Sequence, residues 1–193
     1  TEIRTGSVIV TGATGELYYV LDKDKKQLNY NTIGKPLAFL PGSYLVTVNN
    51  TSRKAEVLAG ASTQLQTGSL MVRGLTEEYY YVTDTAGNAL NYQKLNKPLA
   101  FFPGGLQVKV NNTMVAASVV AGQTAELITG SLILTGGGTG YYYVLDQLGN
   151  QLNFNSVNKS LSFFPSEYTI RLGSSSRKAT VVGGQLTSIS AFN

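Results

Sequence analysis

Thr5-Gly6-Ser7-Val8-Ile9-Val10-Thr11-Gly12 returns as Thr67-Gly68-Ser69-Leu70-Met71-Val72-Arg73-Gly74 and again as Thr129-Gly130-Ser131-Leu132-Ile133-Leu134-Thr135-Gly136. The offsets from Thr5 to Thr67 and from Thr67 to Thr129 are both 62, and no gap is needed to keep the copies aligned. The same offset carries Tyr18, Tyr19, Val20 and Asp22 onto Tyr80, Tyr81, Val82 and Asp84, then onto Tyr142, Tyr143, Val144 and Asp146. It also carries Leu28-Asn29 onto Leu90-Asn91 and Leu152-Asn153, and Phe39 and Pro41 onto Phe101 and Pro103, then Phe163 and Pro165. A long, gap-free period marks a chain built from one repeated supersecondary unit, so each copy adopts the same structure. The expected units are residues 1–66, 67–128 and 129–193.

Within a copy, apolar alternation and turn residues mark short strands. Ser7 to Val10 is β-branched and bounded by Gly6 and Gly12, and Leu17 to Leu21 is aromatic and aliphatic and ends at Asp22. Asp84-Thr85-Ala86-Gly87-Asn88 and Asp146-Gln147-Leu148-Gly149-Asn150 read as hairpin turns in which Gly supplies positive φ and Asp bonds nearby amides. The first copy has Asp22-Lys23-Asp24-Lys25-Lys26 there. Gln27 to Tyr30 and Pro36 to Leu40 follow, with Leu37 and Phe39 on one face by period two. Phe39, Phe101 and Phe163 are the expected core anchors. Tyr44, Val46 and Val48 then point one way and Leu45 and Thr47 the other, the mark of a half-buried strand. Asn49-Asn50 turns the chain, and Ala55 to Leu58 and Thr63 to Gln66 complete seven strands. That is the content of a small β-sandwich.

Phe39-Leu40-Pro41-Gly42-Ser43-Tyr44-Leu45-Val46-Thr47-Val48, with Phe101-Phe102-Pro103-Gly104-Gly105-Leu106-Gln107-Val108-Lys109-Val110, resembles the F-x-L-P-P-G-x-Y-x-V-x-V element of bacterial carboxypeptidase-regulatory-like, PEGA and Cna-B type β-sandwich repeats. The resemblance implies Ig-like or transthyretin-like sandwiches serving as spacers, stalks or adhesive modules. Cna-B pilin domains that form Lys-Asn isopeptide bonds carry the Lys on the first strand. Here that strand is Val8-Ile9-Val10, so no such bond is expected even though Lys35 and Asn29 have counterparts.

A rival architecture is one domain with pseudo-threefold symmetry, such as a β-prism or β-trefoil, whose units have about four strands rather than seven. Tandem sandwiches fit better. Thr63 to Val72 is extended throughout, interrupted only by Gly68 and with no Pro/Ser-rich linker, so the sandwiches are expected to form a stiff rod. Glu2-Ile3-Arg4 aligns with Gln64-Leu65-Gln66, as if the chain starts inside the last strand of a preceding copy, and Ala191-Phe192-Asn193 replaces Thr-Gly-Ser as if the array stops there. An open edge at one pole and Leu186 to Phe192 as an extended donor at the other lead to an expectation of end-to-end association with itself or with neighbouring repeats.

Composition narrows the chemistry. The 193 residues are 42% hydrophobic and only 13% charged, which excludes disorder and points to an all-β globular chain. The net charge of +4 is scattered without a basic run, so no nucleic-acid partner is expected. There is no apolar stretch long enough for a helical membrane span. Neither His nor Cys is present, which removes the commonest general base, thiol nucleophiles and zinc ligands. Asp22, Asp84 and Asp146 are the only acids present in all copies and read as turn caps. Asp22 and Asp24 lack the spacing of an EF-hand loop. Gly136-Gly137-Gly138-Thr139-Gly140 lacks the Lys and the helix of a phosphate loop and reads as a connection between strands.

These observations favour a non-enzymatic structural or adhesive repeat protein, extracellular or at a bacterial cell surface, with no cofactor and no metal. The alternative is a multivalent lectin-like module. Tyr18, Tyr80 and Tyr142 with Asn29, Asn91 and Asn153 are its candidate binding residues, since a Tyr ring with a polar tip suits stacking on surface glycans or contact with another protein.

Overall fold

The computed structural model describes residues 4–136, 138 and 140–192. The expectations resting on Thr1 to Ile3, on Gly137 and Thr139 of the glycine run, and on Asn193 lie outside these residues. Repeat one contains β1 (Gly6–Thr11), β2 (Leu17–Leu21), β3 (Gln27–Thr32), β4 (Leu37–Phe39), β5 (Gly42–Val48), β6 (Thr51–Val57) and β7 (Ser62–Gln66). Repeat two contains β8 (Gly68–Arg73), β9 (Tyr79–Asp84), β10 (Ala89–Lys94), β11 (Leu99–Phe101), β12 (Gly104–Val110), β13 (Thr113–Val119) and β14 (Thr124–Ile128). Repeat three contains β15 (Gly130–Thr135), β16 (Tyr141–Leu145), β17 (Gln151–Ser156), β18 (Ser160–Phe163), β19 (Ser166–Leu172), β20 (Ser175–Val181) and β21 (Leu186–Ser190). No helix occurs among the described residues, and none is long and apolar enough to cross a membrane.

Each repeat pairs a three-stranded sheet, β4-β1-β7 in repeat one, with a four-stranded sheet, β3-β2-β5-β6. The chain is therefore all-β, three tandem sandwiches. Only the first and last strands of a repeat pair in parallel, with Val8 opposite Thr63 and Val10 opposite Leu65. Side chains alternate between faces along a strand. Val8 and Val10 therefore meet Val20, Val46 and Val48 between the two sheets, all fully buried. The β5–β6 turn uses Asn49 and Asn50 at φ 46° and 62°, the left-handed pair of a type I′ hairpin. The β9–β10 and β16–β17 turns have Gly87 and Gly149 at positive φ as expected, and Lys25 in the equivalent β2–β3 turn takes the same conformation at φ 61°.

Tyr18 lies in phase with Val20 and so faces the core, not the solvent. Its ring is fully buried, and its hydroxyl donates to Lys35 O at 2.7 Å with Val8 O at 3.2 Å, tying the connection after β3 to β1. Tyr80 and Tyr142 repeat this, reaching Lys97 O at 2.7 Å and Lys159 O at 2.6 Å. The surface role expected of Tyr18, Tyr80 and Tyr142 is thus corrected by their phase: no ring face is left for a ligand. The tyrosines of the opposite phase, Tyr79, Tyr81 and Tyr141, are the exposed ones.

Phe101 and Phe163 are fully buried, whereas Phe39 is only half-buried at the margin of its core. The difference comes from neighbours, because repeats two and three are each covered at that pole by the repeat before. The segment expected to stand free as a donor is not free. β21 pairs in parallel with β15, and Phe192 packs into the core of repeat three.

Burial pushes the Tyr18 hydroxyl up to about 12 from an ordinary value of 10, and pushes Tyr80 and Tyr142 higher still. The folded state thus holds protons that the unfolded chain releases, so this stability is complete below about pH 10 and is lost as pH rises towards 12 and beyond. Urea unfolding midpoints should be flat from pH 8 to about 10 and fall steeply above it, with part of the phenolate absorbance appearing only on unfolding. Simple, non-cooperative titration of all twelve tyrosines near pH 10 would contradict this account.

Candidate functional site

The features that recur most faithfully outside the cores lie between repeats. Thr67 is the only residue between β7 and β8, and it is buried. Its N–H donates to Thr11 O of repeat one at 2.9 Å, while its carbonyl accepts from Gly122 N of repeat two at 3.0 Å. Thr129 does the same between repeats two and three, donating to Arg73 O and accepting from Gly184 N. The approach is so close that a Cβ on Gly12 would lie 2.1 Å from Thr67 Oγ1, which is why a glycine stands at that position. The single covalent crossing is held on both sides by backbone bonds.

A second attachment sits at the other strand ends. β4 and its counterparts are edge strands, and an edge strand turns unpaired N–H and C=O groups outward. In β11 those groups belong to Ala100. Its N–H donates to Glu16 Oε2 and its carbonyl accepts from Asn49 Nδ2 at 2.9 Å, both side chains coming from repeat one. Asn49 Nδ2 also donates to Glu16 Oε1 at 2.7 Å, and Asn49 Oδ1 accepts from Asn91 Nδ2 at 2.6 Å. Beside this cluster, Asn50 Nδ2 donates to Leu90 O at 2.8 Å, and Thr51 Oγ1 accepts from Phe102 N at 2.9 Å.

All six bonds recur at the next joint. Glu78 accepts from Ser162 N and from Asn111, Asn111 donates to Ser162 O and accepts from Asn153, Asn112 donates to Leu152 O, and Thr113 accepts from Phe164 N. An apolar plug completes each joint. Phe102 packs into the core of repeat one and Phe164 into that of repeat two, and the two are 2% and 5% exposed. In repeat two the β12–β13 turn and the β9–β10 hairpin lie at opposite ends of the four-stranded sheet, as the antiparallel pairing of Leu106 with Asp84 and Lys109 with Tyr81 requires. Repeat two is therefore gripped at both poles.

The sequence candidates divide accordingly. Asn91 and Asn153 are joint residues, Asn29 is exposed, and Tyr18, Tyr80 and Tyr142 are core. Sequence reading missed Glu16, Glu78, Asn49 and Asn111. Their signal was that the first two copies share a Glu and an Asn that the third replaces with Gly140 and Gly173. On the outer face of the four-stranded sheet, Tyr92 packs between Tyr79 and Tyr81 at ring separations of 5.9 and 5.7 Å, with Lys94 and Lys109 over the flanking rings. Phe154 between Tyr141 and Tyr143 repeats the arrangement.

The repeated acids cap turns. Asp84 Oδ1 accepts from the amides of Ala86 and Asn88, and the Asn88 side chain, which donates to Oδ2 at 2.8 Å, is the first cause of a lowered carboxyl pKa. Asp146 is held likewise, and Asp22 caps through the amides of Asp24 and Lys26. Among the described residues no three His, Cys, Asp or Glu side chains converge in a way that could hold a metal.

No family model matches the chain, and no curated protein matches it. Among solved structures, the Bacillus anthracis TIE protein is similar over 98% of this chain and 50% of its own, at 11% identity and a TM-score of 0.29. This chain thus spans about half the length of that protein. BcpA, the major pilin subunit of Bacillus cereus, is similar over 98% of this chain and 99% of its own, at 10% identity and a TM-score of 0.26. At such scores the likeness carries no argument about function.

The joint chemistry is open to a direct check. Asn111→Gly removes the amide while keeping the positive φ that Asn111 adopts, so backbone strain does not confound it. It should destabilise the joint between repeats two and three by about 1–3 kcal/mol, the usual range for unsatisfying buried polar partners. Hydrogen exchange should quicken at Ser162 and Phe164 and stay unchanged at Ala100 and Phe102. Unchanged exchange at Ser162 and Phe164 would show that the cluster does not hold the joint.

Proposed function

We propose that this chain is a non-catalytic structural element, a stiff spacer or stalk segment of a bacterial cell surface or extracellular filament. The observation that carries the reading is the double attachment at each joint. A single covalent crossing acts as a pivot, whereas Thr67 together with the Glu16–Asn49–Ala100 cluster and the Phe102 plug leaves no free rotation between repeats. Rigidity of this kind is unnecessary for a set of independent binding modules joined by flexible linkers, and it serves to transmit position along an axis. The repeated side chains with the most chemistry in them, the acids and the core tyrosines, are committed to turns and to packing.

Small-angle scattering should give a maximum dimension of about 90–110 Å, from roughly 30–35 Å per small domain. The profile should be that of a rigid rod, and the double variant Asn49→Gly/Asn111→Gly should shift it towards a flexible string. A compact particle near the size expected for one globular domain of this length would end the spacer reading.

The outward aromatic rows favour a second reading, recognition of surface glycans. Rings flanked by cations, as at Tyr81 and Tyr92 with Lys109, offer stacking faces beside hydrogen-bond donors. Binding on a glycan array that is lost in Tyr92→Ala and retained in Tyr80→Phe would support it. The absence of any glycan signal for the folded chain would remove it.

A further inference from the structure

We propose that the N-terminal pole of repeat one is a docking surface for another β-sandwich repeat, one that presents a loop carboxylate and an Asn-Asn-Thr hairpin turn. The inference rests on the spacer reading and names the partner that such an array takes at this end. The groups that receive the preceding repeat in the two internal joints are the backbone of residues 90, 100 and 102 and the amide of Asn91, with their counterparts in repeat three. Repeat one has the same set at Leu28, Ala38, Leu40 and Asn29.

Asn29 is already oriented for the task. Its Oδ1 accepts from Tyr30 N at 2.9 Å, as Asn91 and Asn153 accept from the amides that follow them at 2.8 Å, and this aims Nδ2 outward. In the internal joints that Nδ2 meets the Asn of the preceding turn; in Asn29 it has no partner among the described residues. The apolar part is present too. Leu40 is 56% exposed where Phe102 is 2%, and Leu28 is 46% exposed where Leu90 is 8%.

The opposite pole of this same chain is a poor occupant. Glu78, Asn111, Asn112 and Thr113 are replaced there by Gly140, Gly173, Ser174 and Ser175, so both carboxylate and amides are lost. Phe192 packs into the core of repeat three, as Phe102 does into repeat one, and Arg177 lies 4.9 Å from its ring where Arg53 reaches Pro103 O. The surface therefore selects a different repeat, and copies of this chain do not chain head to tail through these poles.

The selection can be tested by restoring the missing set on the full chain. Gly140→Glu, Gly173→Asn, Ser174→Asn, Ser175→Thr and Phe192→Gly convert the C-terminal pole to that of repeat two, and Asn at 173 suits the φ of 59° already present. Sedimentation velocity should show the natural chain monomeric and the restored chain assembling end to end with rising concentration. Adding Leu40→Glu to the restored chain should weaken that assembly about tenfold or more. Should the fivefold variant fail to fold, Gly140→Glu/Gly173→Asn alone, which leaves the core plug in place, should show a weaker association carried by the polar contacts and lost in Asn29→Ala. A folded restored chain that stays monomeric would overturn the inference, as would association of the natural chain that Leu40→Glu leaves unchanged. Neither result would touch the spacer reading, which stands or falls on the internal joints and on scattering.

Discussion

The outward backbone of one short edge strand is the constraint on which the whole array depends. Ala100 and Ser162 each turn an N–H and a carbonyl away from their sheet, and each finds its partners in a Glu and an Asn of the preceding repeat. Buried against a neighbour without such partners, these groups would each cost about 1–3 kcal/mol. Left in water they would be a template for strand addition. Satisfying them with side chains solves both problems and fixes the direction in which one repeat follows another.

Among the described residues the joint contacts named above all link adjacent repeats, the condition under which repeat arrays behave as one-dimensional chains. Repeat two shares core with both neighbours, lending Phe102 to repeat one and receiving Phe164 from repeat three. Among the described residues no repeat packs on the N-terminal pole of repeat one, and there Phe39 is half-buried while Phe101 and Phe163 are fully enclosed. The same residue type at the same register position thus has different burial because of what stands next to it.

The tyrosines show how one short motif serves two ends. In Tyr79-Tyr80-Tyr81 the middle ring is core and its hydroxyl ties the connection after β10 to β8, while on the solvent side Tyr81 stacks on Tyr92 and Tyr79 meets it edge-on. The buried hydroxyl is satisfied by backbone carbonyls, so its burial adds ring packing without an orphaned polar group. The acids common to all copies are likewise committed locally, each accepting from amides of its own hairpin turn.

The sequence by itself determined the repeat, its period, the seven strands and their turns, because gap-free periodicity and alternation are local properties of the chain. Val46 and Val48 against Leu45, the Asp-led hairpins and the Asn49-Asn50 turn were all legible for that reason. It also showed that no Pro/Ser-rich linker separates one copy from the next, while the structure placed the single break at Thr67 and not at Gly68. Tertiary structure decided the rest. Which phase of the Tyr run is core depends on the partner strands, and the phase of Val20 two residues on was the available clue to Tyr18. The role of Glu16, Asn49 and Asn91 is not local at all, since the hydrogen-bonded pairs Glu16–Asn49 and Asn49–Asn91 span 33 and 42 positions and the three side chains come together only when the repeats stack. A polar cluster at a joint has no periodic signature within one unit, because its partners are supplied by packing and not by the order of the chain.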